Sequence, residues 1–192
     1  MAKLKDYSKI SIRDFLNELK APTATPGGGS AAALVAALSC ALLEMVRGIN
    51  RRRSKLGAGS SEQSSELANI RKRLLSLISE DARAFETLKA ELKKKLSPAK
   101  RDQVYLCAAS APVEICECCL KITEAIETEK NKTSLWLISD WREAKLLAKS
   151  GFDSAWLNVE INLNQIKGRK LAGKNRTYLK QMRRKMDAYG RN

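Results

Sequence analysis

Apolar residues recur three or four positions apart along one stretch of this chain: Leu67, Ile70, Leu74, Leu77/Ile78, Phe85, Leu88 and Leu92. That rhythm is the signature of one face of a long α-helix buried against neighbours. One position in the stripe breaks the rule. Position 81, where an apolar residue is due, is Asp. Burying a carboxylate without a partner costs several kcal/mol, so Asp81 must find a partner or keep its proton. A carboxyl whose pKa is raised in this way suits a general acid or base near neutral pH. A structural salt bridge or a helix-to-helix hydrogen bond is the alternative at this point.

The rest of the chain has the same period. Ser11 caps a short helix at 11–20, with Ile12, Phe15, Leu16 and Leu19 on one face. The breaker segment A-P-T-A-T-P-G-G-G-S follows. A second helix is predicted from Ser30 to Arg53, rich in Ala and fully buried. Its apolar run, Ala31 to Leu43, is too short to span a bilayer, so no membrane is expected. A Gly/Ser-rich loop covers 56–65, and the Asp81 helix runs over 66–96. Ser97-Pro98 opens a fourth helix, kinked at Pro112, which leaves the Ala108 carbonyl without its helical donor. A polar loop at 129–134 leads to a fifth helix over 135–167. Gly173 is expected to end the helical run before a last basic helix at 176–189. No period-two pattern persists. The fold class is all-α: an antiparallel bundle of about five long helices plus a basic C-terminal helix. Residues 1–168 form the helical domain and 169–192 a basic tail.

Composition excludes some chemistry. The chain has no histidine, so Ser-His-Asp and Cys-His catalysis and HExxH metal sites are ruled out. The five cysteines (Cys40, Cys107, Cys116, Cys118, Cys119) lack the spacing of a zinc site and read as small buried helix residues. The N-terminus is charged from Lys3 onward and does not read as a secretory signal; a reduced, cytoplasmic compartment is expected. The net charge is +15, and the segment 167–192 holds ten Lys/Arg and one acid. Such a tail suits a polyanion, nucleic acid included, or a solvated helix face. Arg47, Arg51, Arg52, Arg53 and Lys55 gather where the second helix ends, a placement that suits the helix dipole.

Two further groups are candidates for a site. Gly27, Gly28 and Gly29, with Ser30, precede a helix and can bring backbone close to a ligand. Asp140, Asn158 and Asn162 share one face of the fifth helix. Asp140 and Asn158 lie 18 positions apart, about 27 Å along the axis, so one chain cannot bring both to one small atom. In an antiparallel dimer, Asp140 of one protomer reaches toward Asn158 of the other.

These pieces together resemble the formiminotetrahydrofolate cyclodeaminase / methenyltetrahydrofolate cyclohydrolase family. The resemblance rests on "TATPGGGSAAALVAALSCALLEMV", on "DARAF" at 81–85, on Ala111-Pro112, and on Ser139-Asp140 followed by "NVEINL" at 158–163. It covers roughly residues 8–168. The family's L-P-K after the D-x-x-A-F motif and its G-N before S-D are absent; Lys94, Lys95 and Arg101 are loose stand-ins for the basic residues downstream. The resemblance implies a dimer that takes a tetrahydrofolate derivative as substrate, without metal, with a separate formiminotransferase as a partner. It implies ring closure of formiminotetrahydrofolate to 5,10-methenyltetrahydrofolate with loss of ammonia. The alternatives are hydrolysis of the methenyl form to 10-formyltetrahydrofolate, or a basic binding protein that kept the fold and lost the chemistry. Under the first reading Asp81 is the acid/base. Gly27 to Gly29 and Ser30 wall the pocket, and Asp140, Asn158 and Asn162 bind ligand or close the dimer.

Overall fold

The computed structural model describes residues 5–53 and 61–189. They form six α-helices: α1 (Ile12–Leu19), α2 (Gly28–Arg53), α3 (Ser61–Leu92), α4 (Pro98–Glu129), α5 (Ile138–Leu163) and α6 (Arg169–Tyr189). Short 3-10 turns stand at Tyr7–Lys9, Lys130–Lys132 and Leu135–Leu137. Four helices are long, while α1 spans only eight residues. The all-α expectation holds, and among the described residues there is no strand.

The caps form where the sequence put them. The Ser11 side chain accepts from the Asp14 amide, and Ser97 accepts from Lys100, with Pro98 in the first turn of α4. Helix α4 runs unbroken through Pro112. Several boundaries differ from expectation. Helix α2 begins at Gly28, so Gly28 and Gly29 lie in its first turn and not in a preceding loop. Helix α3 is already helical from Ser61, inside the expected loop, and ends at Leu92; positions 56–60 of that loop and Lys55 lie outside the described residues. The fifth helix stops at Leu163, and α6 passes through Gly173. The chain turns earlier because Asp102 accepts from the Lys167 amide at 3.1 Å and the Gly168 amide at 2.8 Å. This buried acid ties the start of α4 to the segment after α5.

The core is built chiefly where α2 meets α5 and α5 meets α4. Gly151 makes the α2–α5 approach close: a Cβ there would lie 3.2 Å from the Ala36 Cβ and backbone nitrogen. Phe152, Leu43, Leu74, Leu77, Ile115, Ile122 and Ile126 fill the interior. Four cysteines are buried as expected, but Cys107 is exposed. Burial pushes the Cys40 thiol up to about 12 and the Cys118 thiol to about 11, which keeps both protonated and inert.

At its C-terminal end α2 is held by an internal clamp. Arg47 Nε lies 2.9 Å from Glu129 Oε1, an ion pair at contact distance without hydrogen-bond alignment, with both side chains buried. Arg47 Nη2 donates to the Ala125 carbonyl and the Thr128 hydroxyl, each at 3.0 Å.

Helix α2 is not fully enclosed, contrary to expectation. It is long and apolar enough to cross a membrane by length and composition alone, yet more than half of its apolar window is buried in the bundle, as in a core helix. Its other side leaves Leu38 and Met45 exposed, and α5 exposes Leu146, Leu157 and Ile161. Ile12 and Leu16 of α1 are also exposed; only Phe15 of that face is buried. Helix α6 docks through Leu179, Met182 and Met186. Arg183 of α6 pairs with Asp153 at 2.7 Å and with Asp187 at 3.2 Å, so part of the tail's charge is used inside the fold.

Candidate active site

Midway along α3 the apolar stripe turns toward the first turn of α2. Ala82 and Leu88 stay buried there, while Phe85 is exposed at 42%. Asp81 lies across the start of α2. A Cβ built on Gly29 would fall 2.1 Å from Asp81 Oδ1 and 2.6 Å from Oδ2, so the carboxyl occupies the space a side chain would take. This is why a glycine opens the helix: only bare backbone admits the acid.

Ser30, fully buried, stands beside it. Its hydroxyl lies 2.8 Å from the Ile78 carbonyl and 3.2 Å from Asp81 Oδ2. Burial pushes the Asp81 pKa above the ordinary aspartate value; the Ser30 hydroxyl and amide hold it back in part. No cation takes part in that balance.

A cavity of about 130 Å³ opens in front of the acid, lined by Thr25, Gly27, Gly28, Gly29, Phe85 and Ala108 together with Asn158 and Asn162. Among the described residues that line it, Asp81 is the one ionisable group. The Thr25 hydroxyl bonds Glu86 of α3 at 3.1 Å, which fastens the segment before the glycines. Asn158 Nδ2 donates to the Ser154 carbonyl at 3.0 Å, and Asn162 Nδ2 to the Asn158 carbonyl at 2.9 Å. Each amide is thereby oriented by its own helix, and each Oδ1 is left as an acceptor. Ala108 adds to this: Pro112, four residues on, has no N–H to give its carbonyl.

The structure thus brings together Asp81, Gly27, Gly28, Gly29, Ser30, Asn158 and Asn162, from three separate regions of the sequence. It does not bring Asp140. That residue lies in the first turn of α5, at the opposite end of the helix from Asn158 and Asn162. The sequence reading named the Ala108 carbonyl as free but did not place it in the site. Thr25 and Phe85 were missed as lining residues. Phe85 could have been found from its motif, since it follows Asp81 by four residues on one helix face.

The lining combines acceptors, the Asp81 carboxyl and the two amide oxygens, with donors, the second N–H of each amide and the first-turn amides of α2. Such a set holds N–H groups and takes up or gives one proton at Asp81.

Residues 11–181 match the model of a family described as Formiminotransferase-cyclodeaminase. A methenyltetrahydrofolate cyclohydrolase of Methylorubrum extorquens is 29% identical over 173 residues, spanning 84% of this chain and 83% of that protein. The mouse formimidoyltransferase-cyclodeaminase is 30% identical over 167 residues, spanning 81% of this chain but only 31% of that longer protein. The crystal structure of a formiminotetrahydrofolate cyclodeaminase from Thermotoga maritima superposes with a TM-score of 0.83 at 24% identity, covering 94% of this chain and 92% of that one. That likeness shows the fold.

Proposed function

The chain belongs to the formiminotransferase-cyclodeaminase family, and from that we propose that it is a folate one-carbon enzyme, a formiminotetrahydrofolate cyclodeaminase with Asp81 as its acid/base. One observation carries the reading: a half-buried carboxyl, its pKa raised by desolvation and with no cation beside it among the described residues, faces a cavity lined by Asn158 and Asn162. The formimino group reacts as its amidinium cation, and ring closure moves one proton from the attacking nitrogen to the departing nitrogen, leaving the positive charge on the methenyl product. Ionised Asp81 takes the proton as the anilino nitrogen attacks the formimino carbon. It returns the proton to the leaving nitrogen, and ammonia departs. The acid ends as it began, and no histidine is needed. The oxygens of Asn158 and Asn162 and the Ala108 carbonyl suit the N–H bonds of the formimino group and of ammonia. A methenyl group offers no N–H to them.

The second reading is methenyltetrahydrofolate cyclohydrolase, the printed activity of the Methylorubrum relative, which this chain matches over most of that protein's length. The same carboxyl then draws a proton from water. Incubating the protein with each folate separates the readings. The cyclodeaminase reading expects ammonia release with methenyl absorbance rising from the formimino substrate. Methenyl loss with no ammonia from the formimino form overturns it in favour of the hydrolase.

The same reading includes a homodimer. Helix α2 is apolar nearly all round from Ala31 to Leu43, which is a buried helix's pattern, yet Leu38 and, just beyond that stretch, Met45 are exposed, as are Leu157 and Ile161 beside the site asparagines. A second copy covers this face and supplies the wall that a 130 Å³ cavity lacks for a ligand of folate size, with Asp140 of the partner approaching Asn158. Light scattering at micromolar concentration is expected to give twice the chain mass, and a monomer there rejects the dimer.

A further inference from the structure

A serine hydroxyl has one proton, and Ser30 faces two acceptors. The Ile78 carbonyl is 2.8 Å away and Asp81 Oδ2 is 3.2 Å away. Both contacts cannot be donated at once. The Ile78 carbonyl lies within α3, where the amide four residues on, Ala82, is its helical donor. It is therefore satisfied whether or not Ser30 bonds to it. Asp81 differs: its charge state changes in the reaction, and a charged carboxylate draws a donor more strongly than a neutral carbonyl does. Burial fixes the serine between the two. Ser30 is fully enclosed and water does not compete for its proton.

We propose that Ser30 is a positioning residue whose hydroxyl proton swings between the Ile78 carbonyl and Asp81 Oδ2 as the carboxyl gains and loses a proton, leaving Oδ1 to exchange protons with the ligand. The inference rests on the acid/base reading of Asp81. When Asp81 is ionised, Ser30 donates to Oδ2. When Oδ1 has taken a proton, the carboxyl no longer needs that donor, and the hydroxyl turns back to Ile78. The serine proton stays on Oγ throughout; only a torsion changes, so nothing is gained or lost from the balance. The carboxylate is stabilised in the one state in which it must act as a base, at the cost of a single side-chain rotation. Asp81 is the one ionisable group among the described residues lining the cavity; α2 offers Gly29 and Ser30, α4 Ala108, and α5 Asn158 and Asn162, all uncharged. The serine is thus the adjustable donor to the acid, beside the fixed amide of the same residue.

The test reads the acid directly. Carboxyl carbon NMR of the ligand-free protein follows the titration of Asp81, identified by its loss in Asp81→Asn. In Ser30→Ala the proton should be held about tenfold more tightly, the effect of removing one charge-assisted hydrogen bond. The acid limb of the kcat profile should move to higher pH by the same factor, with KM changing less than about twofold. Ser30→Thr keeps the hydroxyl and should restore the wild-type midpoint. If Ser30→Thr does not fold, Ser30→Ala alone decides. An unchanged midpoint in folded Ser30→Ala overturns the proposal. A shifted midpoint in a protein that turns over neither folate upholds the proton switch and rejects the assigned reaction instead.

Discussion

The two ends of α2 each meet an acid drawn at least partly out of water, and they treat it in opposite ways. At the C-terminal end Glu129 lies against Arg47, and the guanidinium is further spent on the Ala125 carbonyl and the Thr128 hydroxyl. At the N-terminal end Asp81 has a serine, an amide and, among the described residues, no cation, and a cavity opens in front of it. A paired buried acid holds helices together; removing either partner strands the other. An unpaired one has its pKa raised by desolvation, which suits proton transfer. The fold thus keeps structural and chemical work about 20 residues apart on one helix.

That contrast can be broken by substitution. Asp81→Asn is expected to lower turnover about a thousandfold, in the range typical of removing an acid/base group, while the melting temperature holds or rises. Steady-state assay beside calorimetry checks this, and full turnover in the variant ends the assignment. Arg47→Ala should do the reverse. It leaves Glu129 buried without its cation and should cost about 3 kcal/mol of stability, read by urea unfolding, with kcat little changed at a temperature where the protein stays folded. Gly29→Ala sharpens the site's half of the comparison. The new methyl takes the place of the Asp81 carboxyl, which must rotate away. Turnover should fall about a hundredfold, as for a small misplacement of a reacting group, with a minor stability loss. The smallest effect concerns pH. The folded state raises the Asp81 pKa, so its contribution to stability is full at low pH and fades as pH rises through the folded-state value. The stability of Asp81→Asn relative to wild type should therefore widen upward from pH 4 to pH 7; a constant gap would mean that burial leaves the acid unshifted.

Much of this was legible from periodicity. Asp81 was identifiable because it stands where Leu is due, and the α2 glycines and the α5 asparagines because they fall in resolvable motifs. The start of α2 was misplaced by two residues because glycine is a poor helix former by itself. Here its bare backbone serves Asp81, a need visible only when two helices are set side by side. Gly173 failed to break α6, while the break at 164–168 came from Asp102, eight turns and a whole helix away in sequence. Asp102 stands just past the first turn of α4, and nothing local says that it holds a distant backbone. The face of Asp140 was read correctly, but a shared face fixes direction and not height along the axis. Phe85 kept the period of the stripe while lying beyond the core, at the lip of the cavity.

The bare crossing at Gly151 has a consequence for how such a pocket can diversify. With Ala36 set directly against that backbone, the spacing of α2 and α5 has no slack to adjust. The width between the glycine turn and the two asparagines is therefore a constant of the scaffold. A relative that needs room for a larger ligand must obtain it at the lip, by trimming Phe85 or redrawing the segment around Thr25, and not by parting the helices.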